Sequence, residues 1–185
     1  MSGSPPPEPP SGAEAVAIRE MTLADTRAVG GLHVRAWQAT YRGVIPDSYL
    51  DSLRPAESAE LWRRAVSERH RRTRHLVAAA GTEPVGFAAV GPYRGDEPVG
   101  ELYAINVDPA WMGRGVGRVL IGAAVDELAG AGHRHALLWV LRDNPRARRF
   151  YERNGWEADG TEKTTAFDGR PVLELRYARR LDPSC

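Results

Sequence analysis

The sequence predicts a single α/β domain of the α+β type, and three observations support this prediction. The chain has 185 residues, of which 42% are hydrophobic, so it can form one domain with a sizeable core. Strand patterns occur in groups separated by helices and do not alternate with them regularly. A glycine-rich turn comes late in the chain, after the fourth strand pattern. Grouped strands indicate a mixed sheet and argue against a doubly wound parallel sheet.

The elements of the first half follow from apolar periodicity and from the residues that interrupt it. Thr22 or Asp25 can cap a helix that runs to about residue 39 with apolar residues along one stripe. Gly43 and Pro46 break the next segment into a loop or a short turn of helix. The predicted elements are a strand at 16–19, this helix, a second helix at 55–70, and strands at 75–80 and 85–90. A turn at 81–84 between the last two indicates an antiparallel hairpin.

Proline and glycine also determine the elements of the second half. Asp108 and Pro109 end a strand at 100–107, because proline cannot continue a ladder of hydrogen bonds. The three glycines at 113–117 then begin a helix that runs to about residue 129. The remaining elements are a strand at 136–141, a helix at 144–154, and two short strands near Trp156 and at 172–177.

Composition excludes several classes of function. The formal net charge is only +1, so no overall field directs the chain to nucleic acid or to a membrane surface. The only cysteine is Cys185, which excludes an internal disulfide framework and a multi-cysteine zinc site. His33, His133 and His135 lack a convincing ligand partner, so we predict no metal.

The ends of the chain complete the domain prediction. Residues 1–14 are proline-rich and have no apolar segment, so they are predicted to be a disordered tail and not a signal peptide. Residues 15–183 form the predicted domain. We predict a cytoplasmic protein, and the sequence leaves the oligomeric state open, with a homodimer among the alternatives.

The most informative segment is the turn at 107–118, Val-Asp-Pro-Ala-Trp-Met-Gly-Arg-Gly-Val-Gly-Arg. Its glycines let the backbone pass close to a ligand, and the helix behind it presents unpaired N–H groups and a positive dipole end. Arg114 and Arg118 add positive charge, so the turn suits a pyrophosphate. A plain glycine turn before a helix is the alternative. A Walker loop would end in Gly-Lys-Ser/Thr, and a dinucleotide-binding motif would follow the first strand, so neither fits.

Two motifs together resemble the GNAT acetyltransferases. Met112-Gly-Arg-Gly-Val-Gly117 is similar to the family's acyl-CoA-binding motif Gln/Arg-x-x-Gly-x-Gly/Ala, with Met112 in place of the usual Gln or Arg. The segment at 144–156 is similar to the family's Asn-x-x-Ala-x-x-Phe-Tyr-x-x-x-Gly-Phe, and its spacing puts Asn144 and Tyr151 on one helix face. The resemblance implies the GNAT fold, a mixed, mostly antiparallel sheet of six to seven strands flanked by about four helices.

The resemblance also implies a reaction, the direct transfer of the acetyl group of acetyl-CoA to a primary amine. Tyr151 is then the general acid for the departing thiolate, with a packing tyrosine as the alternative. Glu101 is the candidate base, with a solvated carboxylate or a structural ion pair as the alternatives. Strand alternation would put Glu101, Tyr103, Ile105 and Val107 on one face.

Further site residues follow from the same resemblance. The implied cofactor-binding residues are Ile105, Asn106, Val107, Met112, Gly113, Arg114, Gly115, Val116, Gly117, Arg118, Asn144 and Arg148. A plain helix N-cap is the alternative for Asn144. Trp37, Tyr41 and Tyr103 are the predicted substrate-binding residues, and core packing is the alternative for Trp37. We interpret the basic run at 63–75 as a solvated helix end in preference to a site for acidic substrates or RNA.

The sequence does not identify the acceptor. A small amine, polyamine or antibiotic is the favoured class. The alternatives are a protein N-terminus or lysine as the acceptor, or a non-catalytic module that senses acetyl-CoA. A closed aromatic pocket would favour a small molecule, and an open acidic groove would favour a peptide.

Overall fold

The structure, a computed structural model, describes residues 15–68, 72–95 and 98–181. The strands are β1 (Val16–Glu20), β2 (Arg74–Ala80), β3 (Glu83–Pro92), β4 (Gly100–Val107), β5 (His135–Leu141), β6 (Glu157–Phe167) and β7 (Arg170–Arg180). The α-helices are α1 (Thr26–Tyr41), α2 (Asp47–Ser52), α3 (Pro55–Ser67), α4 (Val116–Gly130) and α5 (Pro145–Arg153). The predicted tail at 1–14 and the predicted domain end at 182–183 lie outside the described residues. Within the described part, no helix combines the length and the apolar character that crossing a membrane requires.

All seven strands belong to one sheet in the order β1-β2-β3-β4-β5-β7-β6. Every neighbouring pair is antiparallel except β4 and β5, which are parallel. The predicted mixed, mostly antiparallel sheet and the predicted order of elements are therefore confirmed.

Two elements differ from the prediction in extent. The short segment after Pro46 forms the separate helix α2, which brings the α-helices to five. Strands β6 and β7 have 11 residues each and are longer than predicted. The β6 side chains are mostly exposed and polar, so the strand shows no apolar alternation and is defined by its pairing with β7.

Each face of the sheet carries its own core. Helix α4 packs on one face and buries Leu120, Ile121 and Leu128 against strand residues that include Leu138 and Val140. Helices α1 and α3 cover the other face in a smaller cluster. Its members are Met21, Val29, Leu32, Ala36, Val77 and Phe87, with Trp62, Val66 and Ala104 at its margin.

The sheet splits in its middle. Strands β4 and β5 pair only at Gly100 with Ala136 and at Glu101 with Leu137. Beyond Leu137, β5 continues to pair with β7, whereas β4 continues to pair only with β3. The backbone edge of β4 from residue 102 to 107 is therefore not covered by β5, and a wedge-shaped opening forms between the two strands.

A β-bulge interrupts the alternation of β4. Ala89 pairs with Ala104 and Val90 pairs with Leu102, so Tyr103 is the extra residue. Leu102, Ile105 and Val107 consequently pack in the cluster under α4, and Glu101 and Tyr103 have other surroundings. The prediction that Glu101, Tyr103, Ile105 and Val107 share one face was wrong, because the bulge shifts the alternation by one residue.

Candidate active site

A groove of about 320 Å³ opens at this split. Its walls are the uncovered end of β4, the glycine turn with the first residues of α4, and helix α5, and Tyr41 at the end of α1 closes one side. The predicted site residues that line it are Tyr41, Ile105, Asn106, Val107, Met112, Gly113, Gly115, Gly117, Arg118, Asn144 and Tyr151. The predicted site residues that do not line it are Trp37, Glu101, Tyr103, Arg114, Val116 and Arg148.

The glycine turn has a backbone that other residues adopt only with strain. Gly113 and Gly115 have φ angles of 79° and 83°, in the left-handed region, and Gly115 is the N-cap of α4. Among the described residues, the amides of 113–115 have no hydrogen-bond acceptor. These amides and the N-terminus of a 15-residue helix both favour a negatively charged ligand.

The third glycine serves close packing. A β-carbon on Gly117 would lie 3.3 Å from the ring of Phe150 and 3.7 Å from Val107. Helix α5 can therefore approach the start of α4 closely at this point. The turn is also tied to α1, because Arg35 donates to Asp108 at 2.5 Å and Asp108 caps the short turn before Met112 through the amide of Ala110.

Positive side chains are available to an anion at this end of the groove. Arg118 lines it from α4, and Arg146 lines it from the first turn of α5. Arg146 was not among the predicted site residues, although it lies two residues after Asn144 in the second motif, on a helix already predicted to be at the site. Arg114 instead stacks on the ring of Trp111, with its guanidinium carbon 5.0 Å from the ring centre.

Tyr151, the predicted general acid, lines the groove from α5. Its half-buried ring lies between Phe150 and Tyr177, at centroid distances of 5.4 and 6.4 Å. Burial first, and then the nearby Tyr41, raise the pKa of the Tyr151 phenol above its usual value of 10.0. In the described part of the chain its hydroxyl forms no hydrogen bond, so it is free to donate to a ligand.

Tyr41 and Trp37 belong to the same aromatic cluster but have different positions. Tyr41 lines the groove, and burial, with a smaller effect from Glu174, raises its pKa to about 12. Trp37 packs edge-on to Tyr41 at 5.1 Å and contacts Phe167 on its other side. Trp37 thus supports Tyr41 from behind, which is the packing role that the sequence left open for it.

Glu101 lies outside the groove and is almost completely buried. Its carboxylate accepts from the backbone amide and Nε of Arg94 at 3.1 Å each, and also from Nη2 of Arg94. The guanidinium of Arg94 stacks over Tyr103, whose hydroxyl donates to the carbonyl of Pro92. These contacts favour the ion-pair alternative for Glu101, and they place Tyr103 under Arg94.

Asn144 and Arg148, at the start and in the middle of α5, differ in whether their side chains face the groove. Asn144 is buried and its Oδ1 accepts from the amide of Ala147 at 3.0 Å, so it is the N-cap of the helix while it lines the groove. Arg148 faces away and donates to the hydroxyl of Tyr177 at 3.2 Å. A contact between Arg148 and a ligand in the groove has no support in this geometry.

Two other predictions concern the basic run at 63–75 and the metal ligands. In the basic run, residues 69–71 lie outside the described residues, and Arg63 and Arg64 both pair with Glu60 on the exposed side of α3. This pairing agrees with a solvated helix end. Across the described ranges, no group of three or more His, Cys, Asp or Glu side chains could hold a metal ion.

Comparison with known proteins points to one family. The profile of the acetyltransferase (GNAT) family matches residues 34–156, a range that contains β4, the glycine turn and α5. The protein of Bacillus subtilis called uncharacterized N-acetyltransferase YuaI is 33% identical over 135 residues, 70% of this chain and 74% of that protein. The mycothiol acetyltransferase of Kocuria rhizophila is 40% identical over 88 residues, 44% of this chain and 29% of that protein. This chain therefore spans less than a third of the mycothiol enzyme's length.

Solved structures share the fold. The PaiA N-acetyltransferase of Thermoplasma acidophilum, solved in complex with coenzyme A, superposes with a TM-score of 0.73 at 21% identity. The superposition covers 90% of this chain and 99% of that chain. At this level of identity the likeness establishes a common architecture.

Proposed function

The chain belongs to the acetyltransferase (GNAT) family, and we propose that it transfers the acetyl group of acetyl-CoA to a primary amine by direct attack. The family predicted from the two motifs is thereby confirmed. The observation that carries the proposal is the groove itself. It brings the glycine turn, the uncovered edge of β4 and the free hydroxyl of Tyr151 into one space.

Successive parts of the groove suit the pyrophosphate and the pantetheine arm of acetyl-CoA. The free amides at 113–115 and the start of α4 suit the pyrophosphate, with Arg118 and Arg146 as counter-charges. The open edge of β4 at Ile105–Val107 offers backbone groups to the amides of the pantetheine arm, much as a neighbouring strand would. Solved relatives of the same fold support this assignment, since PaiA was crystallised with coenzyme A.

The proposed chemistry needs one group to supply a proton to sulfur. The neutral amine attacks the thioester carbon, a C–N bond forms, the C–S bond breaks, and the CoA thiolate leaves. The amine proton is released to solvent, and the Tyr151 hydroxyl donates to the departing sulfur and is reprotonated from solvent. Because burial raises the pKa of Tyr151, the phenol still carries its proton at neutral pH.

Cysteine chemistry is not part of this proposal. The only cysteine is Cys185, at the last position of the chain and outside the described residues. The proposed reaction is therefore a direct transfer that uses no cysteine nucleophile.

The acceptor is proposed to be a small amine. Tyr41 closes the groove on the side of α1, and behind it Trp37, Tyr49 and Phe167 form a packed aromatic cluster. A closed aromatic wall of this kind suits a small molecule better than an extended peptide. Acetylation of a protein N-terminus or lysine is the alternative.

The proposal is tested by thiol release from acetyl-CoA with a panel of amino acids, polyamines, aminoglycosides and short peptides, with mass spectrometry of the products. Acceptor-dependent release and an acetylated product are expected, and Tyr151→Phe should lower kcat roughly 10²-fold with little change in acetyl-CoA affinity. Tyr49→Phe is the matched control, since it removes a hydroxyl from a tyrosine that does not line the groove. Equal kcat values for Tyr151→Phe and wild type would remove Tyr151 from the acid role.

A further inference from the structure

A second group of charged residues lies beside the same split, on the sheet face opposite α4. Glu101 and Leu137 are paired across β4 and β5, and Trp139 follows Leu137 by two positions, so Glu101 and Trp139 share this face. Lys163 and Glu174 pair directly across β6 and β7. The ammonium of Lys163 lies 4.2 Å from the ring centre of Trp139, which places this pair on the same face.

The first ion pair of this face is rigid. Arg94 binds both oxygens of Glu101 through its amide, Nε and Nη2, and its guanidinium lies 4.7 Å from the ring centre of Tyr103. A β-carbon on Gly91 would lie 2.7 Å from the hydroxyl of Tyr103, so glycine leaves room for the ring beneath Arg94. The guanidinium is therefore held in one orientation before any ligand arrives.

The second ion pair has the same arrangement of a carboxylate, a cation and an aromatic ring. Glu174 accepts from the hydroxyl of Thr165 at 2.7 Å and lies 3.3 Å from the ammonium of Lys163. The ammonium is held between this carboxylate and the ring of Trp139. Glu174 is paired with Leu141 across β5 and β7, and Leu141 packs in the cluster that includes the groove residue Tyr41, so the second ion pair borders that cluster.

In both pairs the cation is outside and the carboxylate is beneath it. The Arg94 side chain is 65% exposed and that of Glu101 is 2% exposed. The Lys163 side chain is 42% exposed and that of Glu174 is 18% exposed. Nη1 of Arg94 donates to no group among the described residues, so it remains available to a ligand. In each of these two pairs, the positive group is therefore the member that a ligand reaches first.

We propose that this face selects acceptor amines that also carry a carboxylate, with Arg94 as the recognition residue and Glu101 as the positioning residue that orients it. The inference rests on the proposed function and names its substrate class. An acceptor carboxylate can take charge-assisted hydrogen bonds from Nη1 of Arg94 and attraction from Lys163. A polyamine has no group that can accept from Nη1 of Arg94, so this preference narrows the small amines, polyamines and antibiotics that the sequence favoured to acceptors with a carboxylate.

The test uses pairs of acceptors that differ only in a carboxylate, lysine with cadaverine and ornithine with putrescine. Binding to the complex of the full chain with coenzyme A is measured by titration calorimetry, so the readout does not depend on turnover. The amino acid of each pair should bind about tenfold more tightly than its amine. Arg94→Ala should remove this difference, whereas Arg63→Ala, which deletes the same charge from the exposed side of α3, should preserve it.

An amino acid that binds no more tightly than its amine, or a preference that survives Arg94→Ala, overturns the proposal. Failure of the transferase proposal looks different, because thiol release would then be absent with every acceptor while these binding differences stay measurable.

The role of Glu101 is tested separately with Glu101→Gln. As a positioning residue it should raise the KM of the carboxylated acceptor about as much as Arg94→Ala does, with kcat and the pH profile of kcat close to wild type. Melting temperature checks that the variant is folded. A large fall in kcat together with a changed pH profile would show that Glu101 is the base and contradict the positioning role.

Discussion

Phe150 packs so closely on Gly117 that a β-carbon at position 117 would lie 3.3 Å from its ring. This contact joins the start of α4 to α5, the two helices that carry the glycine turn and Tyr151. The spacing between the glycine turn and the Tyr151 hydroxyl therefore depends on the absence of a β-carbon at position 117.

Gly117→Ala should widen the groove at this point. Phe150, which lines the groove, must move by a few tenths of an ångström, and we expect the Kd for acetyl-CoA to rise several-fold, as about 1 kcal/mol of strain would produce. Gly122→Ala on the same helix is the control. Apart from its own helix backbone, no described atom lies within 4 Å of its new β-carbon, so it should leave Kd unchanged and stabilise the helix by up to about 1 kcal/mol. Equal Kd values for the two variants would contradict the role of the contact.

The left-handed glycines of the turn give a second prediction. Alanine at Gly115 must adopt a φ near 83°, at a cost of roughly 1–2 kcal/mol, or rotate the peptide planes that present the amides. We expect about a tenfold rise in the Kd for coenzyme A, measured by titration calorimetry. Gly169→Ala in the β6–β7 turn, with a φ of 76°, has the same strain away from the groove. Gly169→Ala should lower folding stability and leave the Kd for coenzyme A unchanged. A raised Kd in both variants would mean that destabilisation of the whole fold weakens binding, and not the conformation of the turn.

The raised pKa of Tyr151 gives a prediction on pH. Its usual value is 10.0, and burial moves the pKa upward, so the phenol stays protonated up to at least that pH. Between pH 6 and 10, deprotonation of Tyr151 should therefore cause no fall in kcat. Any fall at high pH should occur equally in Tyr151→Phe. Parallel profiles for the wild type and the variant, at different heights, are the expected result. A basic limb present only in the wild type would mean that Tyr151 titrates in this range.

Local motifs account for what the sequence predicted correctly. The turn at 112–117 and the helix that begins after Asn144 and contains Tyr151 are each determined by a short continuous segment. The residue spacing within each segment was therefore enough to predict its secondary structure. The face of Glu101 could not be predicted, because the bulge at Tyr103 arises from pairing with β3 and leaves no mark on the apolar pattern. Its partner Arg94 lies in the connection between β3 and β4, where no periodicity applies.

The same reason explains the weak prediction of β6. Its polar residues become a strand only because β7 pairs with them, and that pairing also brings together Lys163 and Glu174. The residues proposed to bind acetyl-CoA lie in local motifs, whereas the residues proposed to select the acceptor are brought together by the sheet. The acyl donor of such a site is therefore easier to predict from the sequence than its acceptor.

His33 supplies a prediction on stability, because it is half-buried among aromatic rings of α1, α3 and β3. Its Nδ1 accepts from Nε1 of Trp62 at 3.2 Å and lies 3.0 Å from the hydroxyl oxygen of Ser58, so the neutral ring is the form that fits. Burial lowers the pKa of His33 from 6.5 to about 4. The unfolded chain therefore takes up this proton first, and folding stability falls as pH decreases from 6.5 towards 4, by about 3 kcal/mol at the lower end.

His33→Asn is the matched variant for this prediction, since its side-chain oxygen can accept from the same donors and does not titrate. Urea unfolding at pH 7.5 and pH 4.5 should show that wild type loses more stability than the variant over this interval. His75, whose pKa burial also lowers, contributes to both proteins, so the difference between them isolates His33. Equal losses in the two proteins would mean that His33 is protonated in the folded state, and its hydrogen bonds to Trp62 and Ser58 would then have to be reassigned.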